Sequence, residues 1–140
     1  MKGINKGYSI EDERLLKLLN WFTHINRDES LVIIVEGKTD KEMLSKFVKL
    51  NSIFSLNERG ILRKIHSYAE KKYRFLILTD FDKEGEALNE KITTLLRALN
   101  AEVLENERRN FRYYSEKLGD TVYEVIKHIS EIYNRYYQLF

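Results

Sequence analysis

The chain is predicted to be an α/β protein with a mainly parallel central sheet of about four strands, helices on both faces and a helical C-terminal extension. Three observations predict this. Leu31-Val32-Ile33-Ile34-Val35 and Phe75-Leu76-Ile77-Leu78 are continuous apolar runs of strand length, the pattern of strands buried on both faces. Segments with helical spacing separate the strand-like runs, so the connections are crossovers and the strands run in parallel. Both runs lead straight into carboxylates, and in open α/β sheets ligands bind outside the carboxyl ends of the strands.

Taken in order, Ser9-Ile10-Glu11-Asp12 reads as a helix start, with Ser9 as cap and acids near the positive end of the helix dipole. Leu15, Leu18, Leu19, Phe22 and Ile25 then recur at helical spacing, which predicts a helix over about 10–26. The central strand follows at 31–35. From Asp40 the spacing of Met43, Leu44, Phe47 and Val48 is helical, and Ile53-Phe54-Ser55-Leu56 reads as a short strand. Ile61, Leu62, Ile65 and Tyr68 mark a helix over about 58–71, followed by a strand over 74–79, a helix over about 84–100 and a weak strand at 102–104. Beyond Glu105 the pattern is helical, interrupted near Gly119, with Tyr123, Ile126, Ile129, Ile132, Tyr133 and Tyr136 as the packing stripe.

A length of 140 residues with 43% hydrophobic and 33% charged content suits one compact domain. We expect a single domain over 1–140, with a core at about 31–104, an N-terminal helix at about 10–26 and C-terminal helices at about 107–139. The absence of cysteine excludes disulfides, cysteine-ligated zinc and thiol catalysis. No apolar run approaches the roughly 20 residues needed to cross a bilayer, and the polar start lacks a signal-peptide core, so the expectation is a cytoplasmic protein with no membrane partner. A formal charge of +2 identifies no partner by itself. Between Arg59 and Arg74, however, Arg59, Arg63, Lys64, Lys71, Lys72 and Arg74 face a single acid, Glu70. That run reads equally as a phosphate-binding surface and as a solvated helix face.

The chemistry lies in two acidic signatures, Val35-Glu36-Gly37-Lys38-Thr39-Asp40 and Leu78-Thr79-Asp80-Phe81-Asp82-Lys83-Glu84-Gly85. Side chains alternate along a strand, so Asp80 and Asp82 point the same way if the backbone stays extended as far as Asp82. Glu36 joins them if the two apolar strands are neighbours. Magnesium takes oxygen ligands and is typically held by one or two carboxylates plus substrate phosphates, so Glu36, Asp80 and Asp82 suffice for a site. One or two Mg2+ ions are expected, with Mn2+ as a substitute. The competing reading of each acid alone is a helix cap or a loop acid; Asp40 is expected to be such a cap. Gly85 sits where the chain enters the next helix and permits close backbone approach. Gly37-Lys38-Thr39 is not a Walker A loop, because Val32 stands where that pattern needs glycine. Asp80-Phe81-Asp82 is not a haloacid-dehalogenase motif, because Glu84 occupies its Thr or Val position.

At these residues the chain closely resembles the Toprim domain, the module shared by type IA and type II topoisomerases, bacterial-type primases, OLD-type nucleases and the ribonuclease that matures 5S ribosomal RNA. In that family one strand ends in glutamate followed by glycine and a later strand ends in Asp-x-Asp, as Glu36-Gly37 and Asp80-Phe81-Asp82 do here. The resemblance spans about Leu31 to Leu104 and implies a Rossmann-like sheet. It also implies that Glu36, Asp80 and Asp82 bind magnesium, with Glu36 as general acid/base. The longer strings look most like small stand-alone members, including the maturase-like and archaeal small-primase-like proteins. Topoisomerases and primases need additional domains that 140 residues cannot contain, and of the nine tyrosines Tyr113, Tyr114, Tyr133, Tyr136 and Tyr137 fall on helical spacing that more often packs than attacks.

The implied function is magnesium-dependent phosphodiester chemistry on nucleic acid, by a small nuclease acting on RNA or DNA, with ribosomal RNA or a ribonucleoprotein among the partners. The alternative is a binding module that keeps the metal site without turnover. Catalytic and metal residues are expected to be Glu36, Asp80 and Asp82, and substrate contacts Lys38, Arg59 and Arg63. Glu107-Arg108-Arg109-Asn110-Phe111-Arg112-Tyr113-Tyr114 interleaves cations with aromatics, a mixture that contacts phosphates and stacks on bases, although aromatics at helical spacing are more often core. His24, His66 and His128 show no ligand spacing.

Overall fold

The computed structural model describes residues 10–49 and 51–138, with the backbone alone at 10–12, 133 and 135–138. The elements are α1 (Ile10–Asn26), β1 (Leu31–Val35), α2 (Lys38–Leu44), β2 (Ser52–Ser55), α3 (Ile61–Glu70), β3 (Arg74–Ile77), α4 (Lys83–Ala98), β4 (Glu102–Val103), α5 (Glu105–Ser115) and α6 (Val122–Gln138). The four strands form one sheet in the order β2-β1-β3-β4, every pair parallel. The predicted fold class is the observed one. The Ser9 cap and the Tyr133, Tyr136 and Tyr137 side chains lie outside the described residues.

Strand β1 is buried along its whole length because both faces of the sheet are covered. Leu31, Ile33 and Val35, with Leu76 and Leu78, enter a core shared with Leu18, Phe22 and Ile25 of α1, Leu44 of α2, Phe111 of α5 and Val125, Ile126 and Ile129 of α6. The alternate residues Val32 and Ile34, with Phe75 and Ile77, face Ile65 and Ala69 of α3 and Ile92 and Leu96 of α4. A period of two in the strands is thus matched to two helical layers. At about 1.5–3 kcal/mol for each fully buried aliphatic side chain, these two cores hold the strand ends in register. Val32 lies opposite Phe75 and Ile34 opposite Ile77, so β1 and β3 are neighbours. Glu36 and the Asp80–Asp82 segment therefore emerge side by side.

Several boundaries differ from expectation, each for a local reason. Strand β3 stops at Ile77, although Leu78 N–H still donates to the Ile34 carbonyl at 2.7 Å. The carbonyls of Ile77 and Thr79 are taken by the Arg108 guanidinium instead of a neighbouring strand. Helix α3 begins at Ile61 because Glu58 folds back onto the Ser55 amide and Gly60 adopts φ 73°, a left-handed conformation that glycine accommodates without strain. Helix α2 starts earlier than predicted, at Lys38, and ends at Leu44, with Phe47 and Val48 in turns that bond back to the Leu44 carbonyl. In α6, Tyr123 is 37% exposed and does not belong to the packing stripe; Val122 and Val125 take the buried positions with Ile126 and Ile129. No described helix is long and apolar enough to cross a membrane.

Candidate metal centre

Glu36, Asp80 and Asp82 each present a carboxylate oxygen such that the three atoms lie within 4.8 Å of one another. Adjacent parallel strands bring Glu36 beside Asp80, and an extended backbone at Asp82 (φ −87°, ψ −179°) carries its side chain to the same side. Asp82 is also the N-cap of α4: its Oδ1 accepts the Gly85 N–H at 2.7 Å. The cap reading and the cluster reading of this residue are both correct, since capping occupies one of its two oxygens. Asp40 behaves as the expected cap, accepting the Gly37 N–H at 3.3 Å and, from α6, the Tyr123 N–H at 3.1 Å. Burial pushes the Asp40 carboxyl above its ordinary value, and the charge of Asp80 adds to the effect.

The turn between Asp80 and α4 is tight enough that only glycine fits at position 85. A Cβ on Gly85 would stand 1.9 Å from the Asp80 carbonyl oxygen. The buried Thr79 hydroxyl donates to the Gly85 carbonyl at 2.7 Å and pins the same turn. The close backbone approach at Gly85, the Thr79 hydroxyl and the Asp82 cap together set where Asp80 and Asp82 stand.

Electrostatically the three carboxylates oppose one another. Burial first, then a hydrogen bond with Glu36 and its charge, then the charges of Asp82 and Glu124, push Asp80 up to about 7. Its Oδ1 is buried with no hydrogen-bond donor among the described residues. Hard oxygen donors, convergence on one point and a buried oxygen lacking a donor all fit a divalent ion such as Mg2+ or Mn2+. Two ligands of one magnesium stand at most about 4 Å apart, so a small rotamer adjustment closes the cluster. Among the described residues no other group of three or more acids, histidines or cysteines is close enough to hold an ion, and the three histidines are exposed.

A pH dependence follows. A carboxylate whose folded pKa lies above its unfolded value binds more protons in the native state, so stability falls as pH rises through that interval. In chelator, the stability contributed by Asp80 is expected to be full below about pH 4 and lost as pH approaches 7, read by urea unfolding across that range; saturating Mg2+ is expected to restore it at pH 8.

Sequence reasoning missed the residue that organises this corner. Arg108 is only 6% exposed and reaches under the site from α5. Its Nη1 donates to the carbonyls of Ile77 at 3.0 Å and Thr79 at 3.1 Å, and its Nη2 to that of Asp80 at 3.4 Å and to Glu86 Oε1 at 2.5 Å. Phe81, the middle residue of Asp-x-Asp, packs on Phe111 and lies under both the Arg108 and Arg112 guanidiniums, 4.5 and 4.9 Å from its centroid. The Phe81 N–H donates to the Asp120 carbonyl at 2.8 Å, joining the loop to the α5–α6 connection. The 107–114 segment is therefore in part internal scaffold: Arg108 and Phe111 point inward, while Arg109 and Tyr113 are exposed. A signal for this existed, because Leu104, Arg108, Phe111 and Ser115 share one helical stripe, and an arginine on a buried stripe requires partners. Glu124, whose charge reaches Asp80, gave no comparable signal.

The cations expected to contact substrate occupy the neighbouring surface. Lys38 and Arg59 line a groove of about 1040 Å³ between α2 and α3, whereas Arg63 is exposed on α3 outside it. Lys38 is 81% exposed at its side chain and stands 3.9 Å from Glu42, a surface pair of little energetic weight. Within the Arg59–Arg74 run, Lys64 pairs with Glu58 and Arg74 with Asp28, and Arg63, Lys71 and Lys72 are exposed.

Comparison with known proteins agrees with this geometry. The Toprim domain profile matches residues 31–114, a span that includes the acidic trio and Arg108. A UPF0292 protein from Thermococcus sibiricus is 32% identical over 129 residues, covering 92% of this chain and 93% of that protein. A UPF0292 protein from Pyrococcus furiosus is 36% identical over 86 residues, 61% of this chain and 64% of that one. Among solved structures, a putative protein from Aquifex aeolicus matches with a TM-score of 0.63 at 29% identity, over 75% of this chain and 94% of that chain. The chain belongs to the Toprim domain family, with UPF0292 proteins among its relatives.

Proposed function

We propose that this protein is a small Toprim nuclease that cleaves phosphodiester bonds in RNA or DNA with Mg2+, or Mn2+ in its place. The observation that carries the proposal is the convergence of Glu36, Asp80 and Asp82 at the carboxyl ends of adjacent parallel strands, within a Toprim match. A divalent ion bound there would supply charge neutralisation on the phosphodiester and a more acidic bound water. The residues themselves provide the rest. Asp82 is fixed by its cap to α4 and holds one oxygen toward the cluster. Asp80 is hydrogen-bonded with Glu36, which holds the Glu36 carboxyl at the cluster, where an acid/base group would act. Lys38, two residues past Glu36 and exposed, would contact a phosphate; its exposure supports that role. The resemblance of the acidic strings to the maturase-like and small-primase-like members makes ribosomal RNA or a ribonucleoprotein the first partner to test.

The experiment is incubation of purified protein with structured RNA and DNA in Mg2+. Cleavage that is abolished by Glu36→Gln and by Asp80→Ala supports the nuclease. Binding that survives both substitutions, with no cleavage of any substrate, would instead establish a binding module.

A further inference from the structure

A groove of about 1040 Å³ lies over the sheet edge formed by β2, with α2 on one wall and α3 on the other, and Lys38, two residues past Glu36, lines it. Its cations are Lys38, Lys41, Lys49, Arg59 and Lys64, against two acids, Glu42 and Glu58. We propose that this groove is a binding track for the phosphodiester backbone of a nucleic-acid segment flanking the acidic centre, and that it works without a metal ion. The inference deepens the nuclease reading by assigning where the strand runs; backbone binding in the groove rests on its own geometry.

Three features argue for a polyanion. The first is a clasp. Glu58, 14% exposed at its side chain, accepts Lys41 Nζ from α2 at 2.7 Å, Lys64 Nζ from α3 and the Ser55 amide from β2 at 2.8 Å. Burial alone would push this carboxyl up; the hydrogen bonds from Lys41, Lys64 and Ser55 overcome it and hold the group at about 2, so one permanent anion fixes two ammonium groups from facing walls and leaves one positive charge in excess. Second, Lys49 and Arg59 line the groove without an ion pair to any described residue, so their charge is available to a ligand. Third, no aromatic side chain among the described residues lines it, which leaves backbone charge rather than base stacking as the recognised feature. Phe81, the aromatic nearest the acids in sequence, is already covered by Arg108 and Arg112. Lys38 lies at the start of α2, two residues after Glu36, so the track meets the acidic centre at that turn.

The test is fluorescence anisotropy with a fluorescein-labelled single-stranded RNA oligonucleotide and its duplex, in EDTA, across a salt series. The variants are Lys49→Ala/Arg59→Ala and a charge-matched control, Lys17→Ala/Lys91→Ala, whose exposed lysines lie on α1 and α4. The groove variant is expected to bind about tenfold more weakly, with the slope of log affinity against log salt reduced by about 1.4 on single strands, two contacts at about 0.7 each. The control is expected to keep the wild-type slope. Equal loss in both variants, or wild-type affinity in the groove variant, would overturn the track. Failure of the nuclease reading looks different: groove-dependent binding would persist in EDTA while no substrate is cleaved in Mg2+.

Discussion

Asp80→Asn is expected to change stability and metal response in opposite directions. In chelator at pH 8 the variant should be more stable than the wild type, because a neutral isostere replaces a half-buried carboxylate crowded by Glu36, Asp82 and Glu124. In Mg2+ the order should reverse. The wild type gains RT ln(1 + [L]/Kd), about 2.7 kcal/mol at a hundredfold excess over Kd, and the variant loses most of that gain with one of its three ligands. Cleavage should fall at least about 100-fold, the equivalent of about 3 kcal/mol of lost transition-state stabilisation. Thermal unfolding of both proteins with EDTA and with Mg2+ reads the reversal directly. A variant less stable than wild type in chelator would mean that Asp80 serves packing rather than an ion.

The second large effect is expected at Arg108, which touches no proposed substrate. Arg108→Met keeps the volume of the side chain but leaves the Ile77 and Thr79 carbonyls without their donor and Glu86 without its partner. Orphaning buried acceptors costs about 1–3 kcal/mol each, so a loss of about 3 kcal/mol, roughly 10 °C in Tm, is expected. Arg108→Lys should recover only part of it, since an ammonium group lacks the planar fork that spans these carbonyls and Glu86. Arg109→Met, one residue away and exposed, should stay within about 0.5 kcal/mol of wild type. The Mg2+ affinity of Arg108→Met, measured calorimetrically at a temperature where it is folded, should also fall, because Phe81 loses one of the two cations that hold the loop between Asp80 and Asp82. Unchanged stability in Arg108→Met would remove the scaffold role.

What could be read from the sequence divides along a physical line. Strand β1 and helix α1 were legible to the residue because period and apolarity were both strong: Leu31–Val35 is buried throughout, and Leu15, Leu18, Phe22 and Ile25 turn inward together. The acidic trio was legible for a related reason, since Glu36 and Asp80 follow buried runs, and the further requirements were that β1 and β3 pair and that the backbone stay extended to Asp82. Helix starts were less legible because tertiary bonds decide them. Glu58 reads as a helical residue by spacing, yet it is pulled out of α3 by lysines from two helices and the amide of a strand. Arg108 looked like a surface cation among aromatics, because its partners are backbone carbonyls, which carry no residue identity in a sequence. Tyr123 was misplaced by one step of the helix, since Val122 and Val125 extend the apolar stripe on the side away from it.

The most direct test of the central claim, that Glu36, Asp80 and Asp82 together hold a divalent ion, is anomalous diffraction from crystals of the protein grown with Mn2+. The prediction is a peak within coordination distance, about 2.2 Å, of a carboxylate oxygen from each of at least two of the three acids, with the third bound directly or through one water. A fully occupied Mn2+ elsewhere on the molecule, with this cluster lacking any peak at saturating metal, would contradict it.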